Sequence, residues 1–261
     1  MHQVRLFFIA LQFFTRLPIP AWVGFEAAWL QHASRYFPLV GVVVAAVAAG
    51  VYYAAALVLP APVAAVLSTA ASIYITGAFH EDGFADTCDG LGGGITKERA
   101  LEIMKDSRVG AYGAIGIVCI LATKLSALAM LPPRVAVAAL FVAHPLSRLA
   151  ATALIWKLDY VRGEGKAKPL AQQMTAKEFA IAALTCALPA ACVLAAGWTT
   201  PTAMLAAALA SAAAALWLGR LFVRRLGGYT GDCLGAVQQL AEALVYVAVL
   251  ATLGRGAWIA A

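Results

Sequence analysis

Charge is what this chain has least of. Only 12% of its 261 residues are Asp, Glu, Lys or Arg, about half the share of an ordinary soluble domain. That scarcity argues against a water-soluble fold, and the apolar content excludes disorder. Cysteine is sparse too: five residues, an odd number with no C-x-x-C pair, give no disulfide framework. No A-x-A-like cleavage site follows the first apolar stretch, which Arg16, Pro18 and Pro20 interrupt, so a secretory leader is not expected. No internal repeat is evident. The net charge of +6 lies between the apolar runs, and nothing else supports nucleic-acid binding.

Apolar sequence fills the rest. The chain is 63% hydrophobic with a mean hydropathy of +0.84. A bilayer span takes about 20 mostly apolar residues. Such runs fall at 38–59, 62–79, 114–131, 135–156, 179–197, 201–219 and 236–253. An eighth, 4–14, is too short. We therefore expect an all-α, polytopic transmembrane bundle of about seven spans, with a short N-terminal interfacial or re-entrant helix. Residues 1–261 form a single integral membrane domain in this reading. Trp22, Trp29 and Tyr36 are the expected interfacial anchors, and the many Ala and Gly residues suit close helix packing in lipid.

With the amino terminus in the cytoplasm, 15 of the 19 basic residues fall on that side. They are Arg5, Arg16 and Arg35, then Lys97, Arg99, Lys105 and Arg108. The loop 157–178 adds Lys157, Arg162, Lys166, Lys168 and Lys177, and Arg220, Arg224 and Arg225 complete the set. Only Arg134 and Arg255 lie outside. This skew follows the positive-inside rule.

Against that background the stretch HEDGFADTCDGLGGG, residues 80–94, stands out. It holds Glu81, Asp82, Asp86 and Asp89 with no Lys or Arg to neutralise them. Asp82, Asp86 and Asp89 stand at i, i+4 and i+7, one face of a helix. Carboxylates are hard ligands suited to Mg²⁺ or Mn²⁺, so these three, with Glu81, are the candidate metal ligands. The plainer alternative is a solvated acidic turn. His80 or one of the carboxylates is a candidate proton acceptor.

Further constellations fall on the same expected face. Asp106, Ser107 and Arg108 combine a carboxylate, a hydroxyl and a guanidinium that suits phosphate; an interfacial Arg meeting lipid headgroups is the alternative. His144 and Arg148 lie within a span, where ionisable groups face protein or a cavity, or where an Arg snorkels. The loop 157–178 carries Arg162, Glu164, Lys166 and Lys168 and suits an anionic substrate. Asp232 stands just ahead of the last apolar run, as a ligand or a helix cap. Glu242, inside that run, needs a cation or a basic partner.

HEDGFADTCDGLGGG, DSRVGAYG, the opening ALQFFTRLPIP and the closing GGYTGDCLGAVQQLAE together resemble the cobalamin-5′-phosphate synthase family, the adenosylcobinamide-GDP ribazoletransferases, from near residue 5 to about residue 250. The resemblance implies a multi-pass enzyme of the bacterial inner membrane with its site facing the cytoplasm. It implies Mg²⁺ and the joining of adenosylcobinamide-GDP to α-ribazole or its 5′-phosphate, releasing GMP. Corrinoid nucleotide, ribazole and membrane lipids are the implied partners, and a homo-oligomer or association with other cobalamin-assembly enzymes is compatible with it. On this chemistry Asp82, Asp86, Asp89 and His80 are the catalytic candidates. Arg108, Asp106, Ser107, Arg148, Lys166 and Asp232 are the substrate-binding candidates. The aspartates also resemble, more loosely, CDP-alcohol phosphotransferases, whose full DxxDGxxAR spacing is missing. A prenyltransferase and a secondary transporter are the other readings.

Overall fold

The computed structural model describes residues 1–162 and 174–254. Regular structure there is helical: α1 (His2–Phe14), α2 (Ala27–Ala33), α3 (Phe37–Ala56), α4 (Ala61–Thr76), α5 (Phe79–Gly93), α6 (Lys97–Ile103), α7 (Ala111–Ala129), α8 (Pro133–Lys157), α9 (Ala176–Ala195), α10 (Pro201–Leu226) and α11 (Gly231–Thr252). Six of the described helices are long and apolar enough to cross a bilayer, the first running from Ala28 to Ala56 through a short 3₁₀ turn. Helices α4 and α5 qualify only together, as a pair bent by 89°. All seven expected apolar runs are thus helical, and the chain is a multi-pass membrane protein.

Local chemistry sets the ends. Proline opens α3, α4, α8 and α10, where its missing N–H costs nothing. Thr175 and Glu178 form a reciprocal capping box on α9. Helix α10 runs past residue 219 because its last turn is basic, with Arg224 and Arg225 favoured at a helix C-terminus. Gly227 then stops it in the left-handed region, φ 79°. Helix α11 starts at Gly231, five residues before the apolar run, because Thr230 caps it by accepting from the Cys233 amide.

The central helices are α8 and α11. Gly41 lets α3 settle against the α8 backbone at His144 and Pro145, with no room there for a Cβ. Exposed Leu184, Leu188, Leu205 and Leu209 lie on α9 and α10, the side chains expected to meet lipid. All five cysteines are free.

The bend between α4 and α5 matters most for the site. Gly77 and Ala78 both have positive φ, 65° and 59°, and the non-glycine residue is costly there. The amino-terminal segment holds this bend. The Arg16 amide donates to the Ile75 carbonyl at 2.8 Å, and its guanidinium lies 5.4 Å over the Tyr74 ring. Phe14 packs edge-on to Phe37 and Phe79 and parallel to His80, 5.4 Å away. Trp29 and Tyr36 hold α1: Arg5 lies over the Trp29 ring, and the Tyr36 hydroxyl donates to Gln3 at 2.8 Å.

Candidate active site

The acidic stretch forms its own helix, α5, and its three aspartates stand at different depths. Asp82 is exposed, Asp86 half-buried and Asp89 buried. Asp89 does not wait for a ligand. Its two oxygens accept from the Gly110 amide at 2.7 Å and the Gly113 amide at 2.8 Å. Those are otherwise unsatisfied donors at the start of α7, so Asp89 caps a neighbouring helix and meets the positive end of its dipole. A Cβ on either glycine would fall within 3 Å of the Asp89 carboxylate.

Asp82 and Asp86 lie within electrostatic reach of a different element, the start of α11. Gly83 brings α5 against the start of α11, where an added Cβ would stand 3.0 Å from the Asp232 Cα. Asp86 accordingly feels the charges of Asp232, Asp82, Arg162 and Asp89. Asp232 lies in the first turn of α11, not ahead of it; with Thr230 serving as cap, its carboxylate is left for Arg162, 2.7 Å away. Arg162 is brought there by a short backbone pairing. The Val161 amide donates to Tyr229 and the Tyr229 amide to Asp159, both at 3.0 Å. The Arg162 guanidinium thus stands beside Asp232 and within electrostatic reach of Asp86. Its sequence signal was only that of one cation in a basic loop.

The other candidates separate. Arg108 is exposed and grips Asp106, with Nε at 3.0 Å and Nη2 at 2.6 Å from its carboxylate oxygens. That pairing holds the Asp106 carboxyl down at about 2. Ser107 is exposed beside them. His80, stacked on Phe14, and the buried Arg148 instead line an inner cavity of about 30 Å³ with Gln238, room for a water or two. Arg148 is not snorkelling: it donates to the His144 carbonyl at 3.0 Å within α8. Glu81 is buried, with Oε1 accepting from Gln239 at 2.9 Å and Oε2 without a partner. Lys166 and its neighbours Glu164 and Lys168 lie outside the described residues. The partner that Glu242 required is Lys124, 2.7 Å away.

Among the described residues no three His, Cys, Asp or Glu side chains are arranged to hold one ion by themselves. What the fold brings together at one end of the bundle is Asp82, Asp86 and Asp232, with Arg162 as their cation.

The family model for cobalamin-5-phosphate synthase matches residues 6–250. A protein of Leptothrix cholodnii named adenosylcobinamide-GDP ribazoletransferase is 50% identical, covering 98% of this chain and 97% of its own. Proteins of the same name from Ralstonia nicotianae and Shewanella frigidimarina are 49% and 43% identical, covering 95% and 96% of both chains. No solved structure matches. With a family model covering nearly its whole length and such relatives end to end, this chain is an enzyme and belongs to the cobalamin-5-phosphate synthase family.

Proposed function

We propose that this membrane enzyme joins adenosylcobinamide-GDP to α-ribazole or its 5′-phosphate, with release of GMP and with Mg²⁺ (or Mn²⁺) at the site. The observation that carries this reading is the meeting of Asp82 and Asp86 with Asp232 beside Arg162. It is a set of hard oxygen donors next to a phosphate-binding group, and the relatives' shared name supplies a diphosphate to act on. The ribose hydroxyl oxygen forms a bond to the phosphorus on the cobinamide side of the diphosphate. The bond from that phosphorus to the bridging oxygen breaks, and GMP departs with the electron pair. The hydroxyl proton goes to a carboxylate.

The donor set fits the cation. Mg²⁺ is usually held by one or two carboxylates, with water and substrate phosphates completing its shell; one or two of Asp82, Asp86 and Asp232 would hold it in that way. When bound, it neutralises the diphosphate and the charge leaving with GMP. Arg162 would take phosphate oxygens through its planar fork. Arg108 would do so at the rim after exchanging Asp106 for substrate, with Ser107 beside it. Asp82 or Asp86, open to the substrate side, suits proton acceptance better than His80, which is enclosed under Phe14. The basic skew supports a cytoplasmic position for this end of the bundle, and the membrane would be a bacterial inner membrane.

The test is direct. Purified protein supplied with adenosylcobinamide-GDP, α-ribazole 5′-phosphate and Mg²⁺ should release GMP in step with corrinoid product. EDTA should stop it and Mg²⁺ restore it. Turnover of a CDP-alcohol or prenyl diphosphate without corrinoid product would replace this reading with another transferase. Solute flux in proteoliposomes without GMP release would replace it with a transporter.

A further inference from the structure

Behind the open carboxylates lies a buried chain of hydrogen bonds with a fixed direction. Lys124 of α7, 2% exposed, donates to Glu242 at 2.7 Å and to the Gln239 carbonyl at 3.2 Å. An ammonium only donates, so Gln239 must turn its oxygen to Lys124. Its NH₂ group therefore points the other way, to Gln238 at 2.8 Å and to Glu81 Oε1 at 2.9 Å. Gln238 spends its own NH₂ on Glu242 at 2.6 Å and on Ser147 at 3.1 Å. Tyr246 adds a donor to Glu242 at 3.2 Å. The chain links α7, α8 and α11 and ends on α5, one residue before Asp82.

The charges inside this chain balance. Lys124 and Arg148 are buried with Glu81 and Glu242, and Arg148 feels both carboxylates. Glu81 is held through Oε1 alone, its Oε2 having no partner. The bond from the Gln239 amide to Glu81 Oε1 fixes a geometry, since breaking it would leave both buried Glu81 oxygens unpaired at high cost.

We propose that Gln239, locked by Lys124, is a positioning residue: by holding Glu81 it sets the rotation and register of α5 that turn Asp82 and Asp86 toward Asp232. Glu81 is on this view the anchored end of the acidic helix and not a metal ligand. The inference rests on the reading of Asp82 and Asp86 as the reacting carboxylates.

An exchange of partners tests it. In Gln239→Leu, turnover at saturating substrate should fall about 10- to 100-fold, the scale of a misplacement near 1 Å, and the KM for Mg²⁺ should rise. Glu81→Gln keeps an acceptor for Gln239 and should stay within about tenfold of the parent. The double exchange Glu81→Gln with Gln239→Glu rebuilds the bond between positions 81 and 239 with the donor reversed and gives Lys124 a carboxylate, while the donation to the Gln238 carbonyl is lost as it is in Gln239→Leu. It should recover turnover over Gln239→Leu, and it serves where the leucine variant does not fold. Mn²⁺ alone, followed by electron paramagnetic resonance on the detergent-purified protein, should bind to the exchange variant as to the parent. A parent-like Gln239→Leu overturns the proposal. So does an exchange variant that melts like the parent yet neither binds Mn²⁺ nor turns over, since Glu81 would then be a ligand itself. Asp82→Asn is the control: if it is fully active, the underlying site reading has failed instead.

Discussion

Asp89 accepts the Gly110 amide at 2.7 Å, closing the start of α7 from a different helix. Two of the three aspartates on one helical face are therefore open to ligand and the third is structural. Asp82→Asn and Asp86→Asn should each lose at least about 100-fold in turnover, the scale of a lost electrostatic stabiliser, with unchanged melting in detergent. Asp89→Asn should instead lower the melting temperature, because its NH₂ would confront a backbone N–H; the loss should be about 1–3 kcal/mol. Equal melting of all three variants would remove the distinction.

Arg162 and Arg108 are ranked by geometry. Arg162 is mostly buried against Asp232, whereas Arg108 is 86% exposed and occupied by Asp106. Asp106 titrates near 2 and Arg108 keeps its charge, so their pairing persists above about pH 3 and weakens as pH falls through 2. Arg162→Lys should cost more turnover than Arg108→Lys, since an ammonium lacks the two-pronged fit to carboxylate and phosphate. Steady-state kinetics with adenosylcobinamide-GDP decide it; the reverse order would return the phosphate role to Arg108.

The bend at Gly77 offers a stability test away from the chemistry. A Cβ there would stand 3.0 Å from Arg16 Nε, at a φ of 65°. Gly77→Ala should destabilise by about 1–2 kcal/mol from the backbone alone, read as a fall in melting temperature. Val66→Ala, an exposed position on α4, should change little. Equal melting of the two variants would mean that the left-handed turn is not under strain.

Topology follows from the charge skew. In a cysteine-free background, Ile95→Cys, 94% exposed at the corner before α6, should react with a membrane-impermeant maleimide only from the cytoplasmic side. Val58→Cys, exposed beyond α3, should react only from outside. Labelling of Ile95→Cys from outside would reverse the assignment of the acidic helix to the cytoplasmic face.

The sequence by itself determined the class of this protein. Apolar runs of bilayer length dictate helices, because only a helix satisfies its backbone internally in lipid; the seven runs all became helices within a few residues. The acidic stretch was legible as a candidate site because unneutralised carboxylates are anomalous in so apolar a chain, and the chain's resemblance to its family was carried by short motifs. The tertiary structure alone decided which carboxylate meets which partner. Asp89 and Asp82 are indistinguishable in spacing, yet one meets α7 amides 21 and 24 residues away and the other lies within electrostatic reach of Asp232. The bend at Gly77 and Ala78, the approach of Arg162 and the chain from Lys124 through Gln239 to Glu81 left no periodic trace. Each depends on two segments distant in sequence, and in the last case the partners are 115 and 158 residues apart. Polar pairing across helices is set by which faces meet once the bundle packs, and local hydropathy carries no record of that choice.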